Sequence, residues 1–169
     1  NSHRDHRQRA RGRKDTGPVQ AHPIDPGVEP GRGQERQHEA DGQHPEAGQV
    51  AQYEREIAPV WTQPFAQLLL SQVTPLAKGT VLDAMCHAAE VGLPLIRRSS
   101  TARLVAIDGS TGLLDVARRR AGPLLGRRAF FRSEPGEPDL PFDTDVYDLV
   151  VSNLGLFEAA QPRRLLREL

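Results

Sequence analysis

Two aspartates each close a short apolar run: Thr80-Val81-Leu82-Asp83 and Leu104-Val105-Ala106-Ile107-Asp108. They stand 25 residues apart. Runs of this length, bounded by polar residues and turn formers, read as buried strands. In an open parallel sheet, ligands bind beyond the carboxyl ends of the strands. A carboxylate at the end of the second strand is placed to accept hydrogen bonds from both hydroxyls of a ribose. One strand-terminal Asp alone fits a loop cap equally well. Two at this spacing point to a nucleoside ligand. A further apolar run, Tyr147-Asp148-Leu149-Val150-Val151, ends in Ser152-Asn153, whose polar groups would face the same crevice. His87 follows the first run closely. It reads either as a general base, since imidazole titrates near neutrality, or as a structural or solvent-facing residue. Cys86 reads as a packing residue.

These residues need elements to hold them. Phe65, Leu68, Leu69, Val73 and Leu76 recur at helical spacing, with Pro64 in the first turn and Thr62 or Gln63 as cap. Residues 88–98 have helical character interrupted by Gly92 and Pro94. Ser110 is placed to cap a helix carrying Leu113, Leu114, Ala117 and Ala121, which stops at Gly122. A third strand is expected at residues 128–131. A loop rich in Pro, Gly and acidic residues follows, from 133 to 145. A last helix is expected from Pro162, carrying Leu165, Leu166 and Leu169. Strands alternating with helices in this rhythm imply an α/β fold with a doubly wound, mostly parallel sheet. Near-continuous apolar strands agree, because both faces of such a sheet are covered.

The order begins late. Residues 1–50 contain no Phe, Trp, Tyr, Leu, Met or Cys, and they hold five of the six His. Such a segment cannot bury enough apolar surface to offset about 1–2 kcal/mol of backbone entropy per residue. It is expected to be a disordered tail, with a folded unit over 51–169. Arg4–Lys14 is basic but carries no aromatic residue for stacking on bases, so a solvated tail fits better than a nucleic-acid arm. The tail His spacings match no metal-ligand motif. No metal site is expected.

Three blocks together resemble the class I S-adenosylmethionine-dependent methyltransferase family. The first is Val81-Leu82-Asp83-Ala84-Met85-Cys86-His87-Ala88-Ala89-Glu90. The second is Val105-Ala106-Ile107-Asp108-Gly109-Ser110, followed by Leu113-Leu114-Asp115-Val116-Ala117-Arg118. The third is Asp139-Leu140-Pro141-Phe142, followed by Val146-Tyr147-Asp148-Leu149-Val150-Val151-Ser152-Asn153. Leu165–Leu169 resembles the start of the helix that comes next. The likeness runs from about residue 53 to residue 169.

The resemblance implies a Rossmann-like sheet with strand order 3-2-1-4-5-7-6, of which four strands are present here. It implies S-adenosylmethionine as cofactor. Asp83 and the turn through Met85, His87 and Ala89 would lie along its methionine part. Asp108 would bind the ribose hydroxyls, with Gly109 and Ser110 near the adenosine. Glu134 or Glu137 would meet the adenine amino group only with a shifted register. Asn153 would orient substrate or methyl donor, or serve as a loop hydrogen-bonding group. Tyr53 and Trp61 would cover the cofactor or pack in the core. The family has glycines where this chain has Met85, His87 and Ala89. Those glycines permit a tight turn and close approach of the ligand. Bulky side chains there put the cofactor site in question, Met85 and His87 most of all.

Two functions stay open at this point. One is methyl transfer to an unidentified acceptor, which needs positioning more than acid–base help. The other is a degenerate, cofactor-free module of the same fold, serving as a partner surface or a non-functional fragment. A dinucleotide-dependent oxidoreductase ranks last, since no G-x-G-x-x-G follows the first strand. With 22 basic and 22 acidic residues, the charge balance gives no case for nucleic acid or an anionic membrane as partner. The single Cys excludes an intrachain disulfide. No apolar run approaches a membrane span, and no secretory signal is visible, so the cytoplasm is the expected location. The apolar fourth strand would be an exposed edge, open to self-association and poor solubility.

Overall fold

Apolar runs of three to six residues become four parallel strands: β1 (Thr80–Ala84), β2 (Arg103–Asp108), β3 (Ala129–Ser133) and β4 (Leu149–Val151). The computed structural model describes residues 47–134, 140, 142, 143 and 145–169. Helices are α1 (Ala47–Gln52), α2 (Gln63–Gln72), α3 (Gly92–Arg97), α4 (Thr111–Ala121), α5 (Gly155–Glu158) and α6 (Pro162–Glu168). The sheet order is β3-β2-β1-β4. Val81 stands opposite Leu104 and Leu149, and Asp83 opposite Ala106 and Val151. That register carries Asp83, Asp108 and the residues after Val151 to one end of the sheet.

Side chains alternate across the sheet, and two cores result. Val81, Leu104, Ala106 and Val151 face α2, α3 and α4, where Leu70, Leu93, Ile96, Leu114 and Ala117 complete the larger core. Leu82, Ala84, Val105 and Ile107 face the other way, onto Leu140 and Leu165. Helix α4 forms as its cap signals imply: Ser110 Oγ accepts from Leu113 N at 3.2 Å, and Gly122 ends the helix at φ 53°.

Several boundaries differ from the sequence reading. Helix α2 carries Pro64 in its first turn, as expected, but Thr62 at its N-cap position has helical backbone and makes no side-chain cap, because the helical path continues upstream. Among the described residues the helical path is already present at Ala47, inside the segment expected to be tail; residues 1–46 lie outside the described residues. It runs through a wide helical stretch, Tyr53–Thr62, that contains Pro59. Gln63 N–H bonds back five residues, to Ala58 O. The wide turns bring a stripe of mostly small residues inward: Ala58, Thr62, Ala66 and Leu70 are buried. Phe65 and Leu68, expected on the inner face, stay 40% and 59% exposed.

Trp61 is 43% exposed and packs edge-on to Phe65, so it is not a core residue. The expected helix over 88–98 is shortened to Gly92–Arg97, because residues 85–91 form a tight turn. Helix α5 was not expected. In α6 only Leu165 is buried, while Leu166 stays 60% exposed. Among the described residues β4 pairs on one side only, with β1.

Candidate functional site

Met85, His87 and Ala89 adopt left-handed backbone, with φ of 55°, 51° and 58°. The turn therefore alternates at the three positions where the resembling family carries glycine. The left-handed region costs an L-residue about 1–2 kcal/mol. Captured amides hold the turn against that cost. Cys86 N donates to Ile107 O at 2.9 Å, and Ala89 N to Cys86 O at 2.7 Å. His87 N donates to Asp108 Oδ2 at 2.7 Å, and Ala88 N to Glu90 Oε2 at 3.2 Å.

Asp108 ends β2, as the sequence predicts, and is buried. Its Oδ1 accepts from Ser110 N at 2.8 Å, so the carboxylate ties β2, the turn after β1 and the start of α4 together. Each oxygen has two acceptor positions, and one on each remains after these bonds. Gly109 is exposed beside it. Glu134 donates its backbone N–H to Asp108 O at 3.0 Å, but its side chain pairs with Arg132. Glu137, Asp139 and Pro141 lie outside the described residues.

Asp83 is fully buried at the end of β1. Its Oδ2 accepts from Gly92 N at 2.8 Å, and Oδ1 has no partner. Burial pushes its carboxyl up to about 7, against the pull of the Gly92 N–H. A Cβ on Gly92 would stand 2.7 Å from Asp83 Oδ2 and 2.6 Å from Leu104 Cδ1, so this contact requires glycine.

The His87 ring is 5% exposed. Nε2 lies 3.0 Å from Glu158 Oε2 in α5, and the ring stacks on Tyr53 with centroids 5.7 Å apart. Nδ1 has no partner. Burial alone would lower its pKa. The hydrogen bond and charge of Glu158, with Asp108 and Glu90, outweigh burial and raise it. Cys86 is buried and its thiol is pushed well up by burial, which makes it a packing residue rather than a nucleophile.

Asn153 is buried, and its Nδ2 donates to Thr62 O at 2.9 Å. The bond holds the wide helical segment against the end of β4. Met85 and Ser152 pack on Gly155, where an added Cβ would stand 2.9 Å from Met85 Cβ. Glu158 and Thr62 are site residues the sequence did not single out. Nothing marks Glu158 in the chain except that it is an acid soon after the fourth strand.

The site residues converge from five segments at one end of the sheet. Three of their buried polar atoms lack a partner: Asp83 Oδ1, His87 Nδ1 and Ser152 Oγ. Buried groups of this kind call for a ligand or water. A carboxylate oxygen, an imidazole nitrogen and a hydroxyl suit a zwitterionic group, and Asp108 retains acceptor capacity for two hydroxyls. An adenosine bearing an amino acid fits this donor and acceptor set. A cavity of 220 Å³ adjoins the turn at Ala89 and Glu90, beside Arg97 and Arg120, and another of 320 Å³ lies beside Phe142, Tyr147 and Val150. The His87 side chain contacts both Tyr53 and Glu158 at this end of the sheet.

A parallel sheet in this order, with helices on both faces and acids at the carboxyl ends of its two central strands, defines a Rossmann-like α/β domain. A family model described as a methyltransferase domain matches residues 81–169. The chain belongs to that family, the class I S-adenosylmethionine-dependent methyltransferases. It is similar to a demethylmenaquinone methyltransferase of Clavibacter sepedonicus, 38% identical over 97 residues, covering 57% of this chain and 38% of that protein. It is similar to a 2-phytyl-1,4-naphtoquinone methyltransferase of Trichormus variabilis, 32% identical over 91 residues, covering 53% and 40%. The chain thus spans less than half the length of these curated relatives. A SAM-dependent methyltransferase structure from Aquifex aeolicus superposes with a TM-score of 0.55 at 16% identity, covering 72% of this chain and 63% of that one. That likeness concerns the fold. No helix among the described residues is long and apolar enough to cross a membrane.

Proposed function

We propose that this chain provides the cofactor-binding part of an S-adenosylmethionine-dependent methyltransferase. The observation that carries the reading is the buried Asp108 at the end of β2, bonded to the turn after β1 and retaining one acceptor position on each oxygen. When bound, the cofactor supplies an electrophilic methyl on a sulfonium sulfur. Asp108 accepts from the ribose hydroxyls. Asp83 Oδ1, now without a donor, accepts from the ammonium of the methionine part. Asn153 acts indirectly, holding the wide helical segment over the crevice. Transfer by in-line attack depends on orientation more than on acid–base help. Both quinone-methylating relatives named above support a naphthoquinone-type acceptor.

The experiment is calorimetric titration of the full chain with S-adenosylmethionine. We expect micromolar binding, on the order of −8 kcal/mol, that Asp108→Ala weakens while circular dichroism shows a retained fold. A second reading, a cofactor-free module of the same fold, draws on the His87 side chain filling the turn. Absence of binding by a cooperatively folded sample would decide for that module.

A further inference from the structure

Five exposed apolar side chains share the helical path of the wide segment and α2: Ile57, Val60, Trp61, Phe65 and Leu68. Each is between 40% and 72% exposed. Recurrence at three and four residues puts them on one side of that path. Trp61 and Phe65 meet there edge to face, with centroids 5.1 Å apart. The buried line Ala58, Thr62, Ala66 and Leu70 runs beside them, against the body of the domain. An apolar stripe that stays outside while small residues go inside marks a surface for a partner.

Charge and area narrow the choice of partner. From Ile57 to Ala77 no side chain is charged. Arg55 and Glu56, just before, pair with each other at 2.8 Å. A neutral face of this kind has no pull toward an anionic surface and offers no ion pairs to the rim of a protein interface. Taking on the order of 200 Å² for a large exposed side chain, the five present about 500 Å², short of the roughly 800 Å² per partner that a standard protein interface buries. That area is small for a second copy of the chain. It suits the boundary between headgroups and acyl chains, where aromatic rings find apolar and wet surroundings together.

We propose that this helix face lays the domain on a zwitterionic lipid surface, with Ile57, Val60, Trp61, Phe65 and Leu68 entering the headgroup–acyl boundary. Binding of this kind follows the apolar area buried and is reversible. The same helical path reaches the candidate site from its other side: Tyr53 stacks on His87, and Thr62 O accepts from Asn153 Nδ2. Docking would therefore set that end of the sheet beside the lipid. The proposal goes beyond the methyl-donor reading and does not rest on it. It accords with the naphthoquinone-type acceptor proposed above, an apolar molecule that partitions into such a surface.

Trp61 is the chain's single tryptophan and serves as the reporter. The full chain is titrated with phosphatidylcholine vesicles, and tryptophan emission and co-sedimentation are followed together. We expect a saturating blue shift with co-sedimentation, both unchanged by high salt. The double variant Val60→Ser, Leu68→Ser should partition about tenfold more weakly. Its circular dichroism should stay that of wild type, because both side chains are more than half exposed. Leu166→Ser removes a side chain 60% exposed on α6, at the opposite face of the sheet, and should bind as wild type does. A folded chain that fails to co-sediment would overturn the proposal. So would binding confined to vesicles containing phosphatidylserine and abolished by salt, or an equal loss in Leu166→Ser. A blue shift that follows protein concentration without lipid would overturn it too and assign the face to a second copy. Titration with S-adenosylmethionine reads the methyl-donor site separately, so failure of one reading is distinguishable from failure of the other.

Discussion

The Nε2 of His87 lies 3.0 Å from a carboxylate oxygen of Glu158, 71 residues further along the chain. The pair joins the turn after β1 to helix α5 across the end of the sheet. Glu158 is 43% exposed, which limits the stability the pair contributes to about 1 kcal/mol or less. Its larger effect is on the proton. Glu158→Gln should lower the His87 pKa, as read from its ring resonances during an NMR pH titration. An unchanged value would show that Asp108 and Glu90 alone raise it.

Asp83 makes folding stability depend on pH. Its folded carboxyl sits at about 7 against an ordinary 3.8, so the folded state holds its proton where the unfolded chain has released it. The stability linked to that proton is complete below pH 4. It is lost as pH rises toward 7, by an amount on the order of a few kcal/mol. The raised pKa of His87 adds a loss in the same direction, from pH 6.5 upward. Urea unfolding at pH 5.0 and 7.5 should show the decline. Asp83→Asn should flatten it below pH 7, because the amide oxygen still accepts from Gly92 N.

Gly92→Ala should destabilise the fold by about 1–3 kcal/mol, as overpacking does. The new Cβ would stand 2.7 Å from Asp83 Oδ2 and 2.6 Å from Leu104 Cδ1. Ala89→Gly is the useful contrast. Relief of left-handed backbone, about 1 kcal/mol, roughly balances the loss of a buried methyl, about 0.8 kcal/mol. Thermal unfolding should therefore separate Gly92→Ala from wild type and leave Ala89→Gly near it.

Local patterns made the sheet legible, and side-chain convergence hid most of the site. Four apolar runs, a Ser110 cap and a Gly122 stop are properties of neighbouring residues, and all appear in the structure. Asp83 and Asp108 were readable because the strand ends placed them. The inward face of the N-terminal helix was not readable. Wide turns around Pro59 rotate it until small residues, not Phe65 and Leu68, meet the sheet. Glu158 joins the site through a partner 71 residues away in sequence, and Thr62 through one 91 residues away as well as through the Tyr53 hydroxyl at 2.8 Å; the long separations are ones no local pattern encodes.

Asn153→Ala would leave Thr62 O buried without the donor that stands 2.9 Å from it. The expected cost is about 1–3 kcal/mol. Hydrogen exchange should rise across residues 53–72 more than in β1 or β2. A uniform rise across the sheet would mean that Asn153 supports the whole fold instead of docking this one segment.

The most direct test follows two amides. His87 N–H and Ser110 N–H both donate to the Asp108 carboxylate, at 2.7 and 2.8 Å. Any ribose that takes up the remaining acceptor positions of that carboxylate must change both. Proton–nitrogen correlation spectra of the labelled full chain, titrated with S-adenosylhomocysteine, should show the two resonances moving together and saturating at one Kd. A spectrum of a folded chain with both resonances unmoved at millimolar ligand would contradict a cofactor site at Asp108.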